Sequence, residues 1–281
     1  MEISCDASPY TVSAKEHGEK HFVRLVNPIP GSLLSHFLFV QTGLFYLLES
    51  YLPKLDSKNR YSISLITKIP LVGHFRKLFL NLCLSNKIKL KIRAPAGPEI
   101  LRANNIGKLP KVSSKKAVIA FSGGKDSLWN LMWAQKKFGR ENVLAVHIEG
   151  LNANQATRER KMVIRQANEL GFNLQIIKIK NNFATHYTIS RGSYSYYMFI
   201  AGIIIPAAME FGASAIIMEG FQFPQDIHRF NQVLKEIDIP IKIVWRDIGE
   251  TEVVRELVKY RPRWSSYICA CDQNLKNHKL F

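Results

Sequence analysis

The chain of 281 residues is long enough for one large domain, or for a standard domain with a smaller partner. A hydrophobic share of 47% and a charged share of 22% are ordinary for a globular protein and exclude a disordered chain. The net charge is +17, and residues 1–116 carry 18 Lys and Arg against 7 Asp and Glu. So basic a surface attracts polyanions such as a nucleic acid, ATP or an acidic protein, although lysines also serve solubility.

Residues 1–93 have the pattern of an α+β domain of unknown role. Short apolar or alternating runs predict strands at 21–26, 60–66 and 86–93, and longer apolar patterns predict helices at 32–52 and 71–84. The strand at 86–93 alternates apolar with basic residues, so we expect it to be half-buried with one cationic face. Polar residues interrupt the apolar stretch Leu33–Leu52, which favours a buried helix over a membrane span.

The N-terminus has no basic segment followed by an apolar run, so the sequence predicts no signal peptide and a cytoplasmic location. The four cysteines are then expected to be reduced. Residues 94–115 contain three prolines and two glycines, which is typical of a linker.

Residues 116–281 alternate between short apolar runs and helical patterns. Strands are predicted at 117–121, 143–148, 174–179, 215–218 and 241–245, and helices at 127–138, 156–170, 194–211, 227–237 and 250–260. Five such units in a row predict an α/β fold with a doubly wound, five-stranded parallel sheet of the Rossmann type. Ligands of these sheets bind at the carboxyl ends of the strands.

The residues most informative about function are Ser122-Gly123-Gly124-Lys125-Asp126-Ser127, at the end of the first of these strands. The glycines allow a tight turn whose N–H groups can face an anion, and the following helix directs its positive end there. Ser122 and Ser127 add hydroxyl donors, and Lys125 adds a cation. Asp126 would repel a phosphate, so we expect it to hold Mg²⁺, to cap the helix or to orient a neighbour.

The SGGKDS segment resembles the SGGxDS signature of the PP-loop ATP pyrophosphatases, a family that includes 7-cyano-7-deazaguanine synthase and tRNA-thiolating and lysidine-forming enzymes. The resemblance extends over residues 116–272. It implies a HUP fold and a loop that holds the pyrophosphate part of ATP, with Lys125, Asp126 and Arg191 as catalytic residues.

Further positions are similar to the family. His147 and Ile148, at the end of the second parallel strand, would lie against adenine, and Arg191 would reach a phosphate unless it is a solvated charge at a helix start. Gly220 would also contact the nucleotide. The carboxylates of Glu219 and Asp226 either bind Mg²⁺ or substrate, or are surface charges.

The C-terminus departs from the deazaguanine synthases, in which a Trp-Ser-Cys-Tyr step precedes a zinc cluster. Here Ser266 replaces the first cysteine, and Cys269 and Cys271 have C-x-C spacing. With His278 they offer three local ligands, whereas a structural zinc site takes four. Either zinc is lost or further ligands lie beyond Phe281.

The sequence thus predicts an ATP-dependent, AMP- and pyrophosphate-forming adenylating ligase that resembles 7-cyano-7-deazaguanine synthase, a family with relatives in bacterial antiviral defence. The alternatives are a tRNA-modifying enzyme that contacts RNA through Lys87, Lys89, Lys91 and Arg93, and a nucleotide-binding regulatory subunit without turnover. Expected partners are a small-molecule or protein substrate, tRNA, a second copy of the chain or a protein from the same operon, but no membrane.

Overall fold

The computed structural model describes residues 2–8, 11–16, 19–26, 38–46, 62–66, 76–77, 80, 88–93, 111–151, 156–182, 194–218, 224–246 and 249–267. Within these described residues, ten strands form one sheet with the order β10-β9-β6-β7-β8-β3-β2-β1-β4-β5.

The C-terminal half of the sheet consists of five parallel strands, which confirms the predicted fold class. These strands are β6 (Ser113–Ala120), β7 (Val143–Glu149), β8 (Asn173–Asn181), β9 (Ala213–Met218) and β10 (Lys242–Trp245). The helices that follow them are α2 (Lys125–Phe138), α3 (Ala156–Leu170), α4 (Tyr194–Phe211), α5 (Pro224–Glu236) and α6 (Glu250–Tyr260), numbered after the N-terminal helical residues 38–46, here α1. Because β6 lies at the centre of this half, the turn that follows it opens at the middle of the carboxyl edge.

The N-terminal strands extend the same sheet. They are β1 (Glu2–Ser8), β2 (Thr11–Glu16), β3 (Glu19–Leu25), β4 (Ser62–Ile66) and β5 (Lys89–Arg93). β3 pairs antiparallel with β8, and β2 and β1 continue from β3 as an antiparallel meander. β4 and β5 then add in parallel at the far edge. The sequence did not predict β1 and β2; the strands at 21–26, 60–66 and 86–93 are confirmed with shifted ends.

Two hydrophobic cores lie on opposite faces of the sheet. On one face, α1 and α4 cover the sheet: Phe199 stacks on Tyr46 at a centroid distance of 5.1 Å, and Thr42 packs against Gly202. On the other face, α2, α3 and α6 enclose a smaller core around Trp129.

The two predicted domains therefore meet in a continuous sheet and a shared core. Their boundary at residues 94–115 stays a prediction, since residues 94–110 lie outside the described residues and β6 begins at Ser113. Residues 38–46 of the predicted apolar helix are all buried. Among the described helices, none has the length and apolar character needed to cross a membrane.

Candidate active site

The SGGKDS loop lies between β6 and α2, at the carboxyl edge of the central strand. Gly123 has φ +81°, a conformation that residues with a Cβ adopt only at a cost. α2 begins at Lys125, two residues earlier than predicted, and its N-cap residue is Gly124, so no side chain caps the N–H groups of the first turn. A helix start of this kind accommodates an anion.

The two serines of the loop fix its shape. Ser122 Oγ accepts a hydrogen bond from the Gly124 N–H at 3.2 Å and donates one to Ser127 Oγ at 3.1 Å. Ser127 is fully buried, and its hydroxyl donates to the Gly124 carbonyl at 3.0 Å. These hydrogen bonds between the serines and the backbone stabilise the shape of the turn.

Lys125 and Asp126 form an ion pair at the start of α2. The Lys125 Nζ lies 3.0 Å from one carboxylate oxygen of Asp126 and 3.2 Å from the other. The Lys125 side chain is 14% exposed and the Asp126 side chain 37% exposed. The helix has no side-chain cap, so Asp126 does not cap it, and the predicted role of Asp126 with Mg²⁺ stays a prediction.

Gln166 of α3 packs against the loop and supports it. The sequence analysis did not identify this residue. Its side chain is fully buried, and its amide donates to the Gly123 carbonyl at 2.9 Å. A Cβ on Gly123 would lie 2.5 Å from Met162 Cε and 2.9 Å from Gln166 Oε1. α3 therefore packs against the turn so closely that only glycine fits. A lone glutamine in an amphipathic helix gives no sequence signal of such a contact.

His147 lies near the carboxyl end of β7, the strand beside β6, and is 4% exposed. Its Nδ1 is 3.0 Å from the carbonyl oxygen of Phe121, which only accepts hydrogen bonds, so Nδ1 carries the proton. Nε2 is then an acceptor, and it is buried without a hydrogen-bond partner among the described residues. Burial lowers the pKa of His147, although the contact with Phe121 and the charge of Glu149 oppose this change.

The neighbours of His147 on β7 differ in surroundings. The Ile148 side chain is 5% exposed and packs in the larger core, on the sheet face opposite to His147 and α3. Glu149 is almost buried and lies 3.5 Å from Arg160 of α3 and 3.6 Å from Lys178 of β8. These ion pairs place charge at the sheet edge, one strand away from the loop.

A second feature that the sequence did not reveal lies where β10 ends. The Arg246 guanidinium is 4.1 Å from the ring centre of Trp129 and 3.9 Å from that of Trp133, both on α2. Trp129 Nε1 also donates to Glu256 of α6 at 2.6 Å. Burial lowers the pKa of Arg246, and Glu256 opposes this effect. The cluster fastens α2 to α6 and β10, so the helix that begins at the loop is held along its length.

Several predicted site residues lie outside the described residues: Arg191, Glu219, Gly220, Cys269, Cys271 and His278. Asp226 belongs to α5, but its side chain is not described. Within the part of the chain that the structure describes, no three His, Cys, Asp or Glu side chains group as metal ligands. The roles of Arg191 and Gly220 and the zinc site thus stay predictions.

The match to a known family agrees with the geometry of the loop. Residues 99–204, from the predicted linker into α4, match the family model of the PP-loop domain. This part of the chain is therefore similar to a PP-loop domain. A comparison with curated protein sequences gave no match. The predicted resemblance to the PP-loop ATP pyrophosphatases is confirmed, while the closer likeness to 7-cyano-7-deazaguanine synthase stays a prediction. A PP-loop domain implies ATP as the nucleotide.

The lowered pKa of His147 predicts how stability changes with pH. Between the ordinary value of 6.5 and the lower pKa of the folded state, the unfolded chain binds a proton that the folded chain does not. The free energy of unfolding should therefore fall as pH falls through this window, by at most about 1.4 kcal/mol per pH unit. Urea unfolding of the protein and of His147→Gln at about pH 7.5 and about pH 5.5 tests this, since glutamine does not titrate there. Equal losses in both proteins would contradict it.

Proposed function

We propose that this protein is an adenylating enzyme. An oxygen of the substrate, from a carboxylate or a carbonyl, attacks the α-phosphorus of ATP. The bond from that phosphorus to the bridging oxygen breaks, pyrophosphate leaves with the electron pair, and the substrate keeps the AMP group. A nitrogen or sulfur nucleophile then displaces AMP, so that ATP yields AMP and pyrophosphate.

The observation that carries the proposal is the turn at Gly123 and Gly124, which leads into a helix start without a side-chain cap. The charge that grows on pyrophosphate during bond breaking needs donors that are already in place. The N–H groups of the first turn of α2 are suited to this, and Lys125 supplies a cation beside them. Ser122, Ser127 and Gln166 keep these groups fixed, so little reorganisation accompanies the reaction.

The carboxylate of Asp126 is suited to binding Mg²⁺. Mg²⁺ in nucleotide sites is usually held by one or two carboxylates together with phosphate oxygens and water, and Asp126 is a partly exposed carboxylate at the loop. When bound, Mg²⁺ neutralises part of the charge of the phosphates. Asp126 would then move from its pairing with Lys125 toward the metal, which leaves the lysine to the nucleotide.

His147 is suited to recognition of the base. Its Nε2 can only accept a hydrogen bond, and the exocyclic amine of adenine is a donor. Guanine presents a carbonyl oxygen at the corresponding position, which cannot donate to Nε2. Such a pairing would favour ATP over GTP as the nucleotide.

Two substrate classes follow. The first is a small acid that is adenylated as in 7-cyano-7-deazaguanine synthases. Enzymes of this class that act in bacterial defence modify a protein, and we include that role in the first class. An RNA is the second, and the exposed cations Lys89, Lys91 and Arg93 of β5 favour it.

The decisive experiment measures the nucleotide products. With α-labelled ATP, Mg²⁺ and candidate acids or cellular RNA, we expect labelled AMP and equimolar pyrophosphate. ADP and phosphate would contradict adenylation. Tight ATP binding with no product under any substrate would assign the chain to a regulatory role instead.

A further inference from the structure

The C-terminal ends of α2 and α6 lie side by side, at the edge of the sheet opposite to the SGGKDS loop. Each of these helices follows a parallel strand and runs back along the sheet, so both end near the amino ends of the strands. They are in contact there, since the Lys136 Nζ lies 5.2 Å from the ring centre of Tyr260. The exposed cations of this region are here called the basic end; they are Lys136, Lys137, Arg140, Lys259, Arg261 and Arg263.

The carboxylates around the basic end have other partners. Among the described residues, no carboxylate forms an ion pair with the lysines of the basic end, with Arg140 or with Arg261. The described carboxylates of the neighbouring helical segments are held elsewhere: Glu141 by Asn142, Glu169 by Arg165, Glu252 by Arg255 and Glu256 by Trp129. The basic end therefore keeps an excess of positive charge, which an acidic partner can neutralise.

The two helix dipoles explain part of this charge but not all of it. The last turn of a helix is its negative end, where a cation is stabilising. Lys136 and Lys137 lie in the last turn of α2, and Lys259 lies in the last turn of α6. The effect of the dipole falls off within that turn, whereas the three arginines of the basic end lie beyond it. Their presence needs a further reason.

Aromatic side chains lie among the cations. Tyr260 is 48% exposed, although it is a large side chain, and the Lys259 Nζ lies 5.0 Å from its ring centre. On α2, the Lys137 Nζ lies 4.8 Å from the ring centre of the partly buried Trp133. Tyrosine, tryptophan and arginine are the residues that are enriched at protein interfaces and that carry much of the binding energy there. The basic end thus combines net charge with the side chains of a docking surface.

The arrangement of the rings favours a protein over other polyanions. Lysine ammonium groups lie close to the rings of Tyr260 and Trp133, where they compete with nucleic-acid bases for the ring faces. A lipid surface is bound by apolar side chains that insert among the lipids, whereas Trp133 and Phe138 pack against the smaller core. Carboxylates need only the N–H groups that lysine and arginine still present, and arginine binds them in a bidentate manner.

A second copy of the chain is a poor occupant because its charge has the same sign, with 39 Lys and Arg against 22 Asp and Glu. Lys136 lies about 16 Å from Lys125 along α2 at 1.5 Å per residue. A protein bound at the basic end therefore leaves the loop open to the nucleotide.

We propose that the basic end docks an acidic segment of a partner protein, with carboxylates of the partner on the lysines and arginines and with Tyr260 within the contact. The inference goes beyond the proposed function and does not rest on it, because docking at this end of the helices needs neither ATP nor turnover.

The test is a titration with a fluorescein-labelled peptide of about ten residues, mostly glutamate with one central leucine, followed by fluorescence anisotropy. The triple variant Lys136→Gln/Lys137→Gln/Lys259→Gln should weaken binding at least about tenfold at low salt. The difference should shrink at high salt, because exposed charges are screened. Tyr260→Ala should weaken binding about tenfold, whereas Tyr260→Phe, which keeps the ring, should retain it. Undiminished binding in the triple variant or in Tyr260→Ala would overturn the proposal.

The matched control, Lys89→Gln/Lys91→Gln/Arg93→Gln, removes three charges elsewhere. These residues are exposed on β5, at the edge of the sheet away from β10, and their replacement should leave peptide affinity within about twofold. An equal loss in the control would reduce the effect to net charge and overturn the proposal. So would oligouridylate or phosphatidylserine vesicles that bind more tightly than the peptide and lose that binding in the basic-end variant. A dimer of the unmodified protein that the basic-end variant abolishes would assign the surface to a second copy instead.

ATP affinity, measured on the same proteins, separates this inference from the proposed function. The basic-end variant should bind ATP as the unmodified protein does, because none of its three positions lies at the loop. ATP binding by the unmodified protein without any affinity for the acidic peptide would overturn the inference and leave the adenylation proposal standing. Peptide binding at the basic end without AMP formation under any substrate would do the reverse.

Discussion

Replacing Gly123 with alanine is expected to lower the affinity for ATP at least about 30-fold, equivalent to about 2 kcal/mol. The φ of +81° costs an alanine about 1–2 kcal/mol, and its Cβ would meet Gln166 Oε1 at 2.9 Å. Met162 can move its flexible end away. Gln166 cannot yield as easily, because its amide holds the Gly123 carbonyl inside a buried contact. The turn must then shift, and the N–H groups at the start of α2 shift with it.

Gly249→Ala is the matched control for this prediction. Gly249 is also the N-cap residue of a helix, but its φ is −61° and an added Cβ would meet nothing within 4 Å. Isothermal titration with ATP should show unchanged affinity for this variant, and thermal unfolding should show a small effect. Normal ATP affinity in Gly123→Ala would mean that the nucleotide does not rest on this turn.

The C-terminal half of the fold was predictable because its elements are long and regular. The bounds of α3 and α4 agree with the prediction at both ends, since an amphipathic run or a long apolar run ends at Gly171 or Gly212. β1 was missed because its apolar positions, Ile3, Cys5 and Ala7, include two small side chains and only one β-branched residue. Its place in the sheet comes from pairing with β2 and β4, which is tertiary information.

The candidate site, like the fold, was predictable from the sequence only in part. The loop was predictable because its chemistry lies in consecutive residues at a strand–helix junction. The support from Gln166 depends on how α3 packs, and the place of β3 in the sheet depends on its pairing with β8, which is far away in sequence. Contacts of this kind become visible once the sheet order is known.

Replacing Lys125 with glutamine should lower the turnover number about 10²- to 10³-fold, the usual effect of removing one group that stabilises charge in a transition state. The effect has two causes. The leaving pyrophosphate loses a cation, and Asp126 loses the partner that lies 3.0 Å away, so an uncompensated carboxylate faces the phosphates. Substrate-saturated pyrophosphate release is the appropriate measurement. The prediction is the same for both proposed substrate classes, because Lys125 acts on the nucleotide and not on the second substrate.

Lys136→Gln is the control, because Lys136 is an exposed residue of the last turn of the same helix, about 16 Å from Lys125 at 1.5 Å per residue. Lys136→Gln changes the net charge by the same amount as Lys125→Gln but leaves the loop intact, so turnover should stay within about twofold of the unmodified protein. The double variant Asp126→Asn/Lys125→Gln separates the two causes when it is compared with Asp126→Asn alone, because both lack the carboxylate that is proposed to bind Mg²⁺. If repulsion by Asp126 dominates, the two variants turn over equally fast, whereas if the missing cation dominates the double variant is slower. Full activity of Lys125→Gln alone would remove the lysine from the mechanism and leave the charge stabilisation to the backbone of the turn.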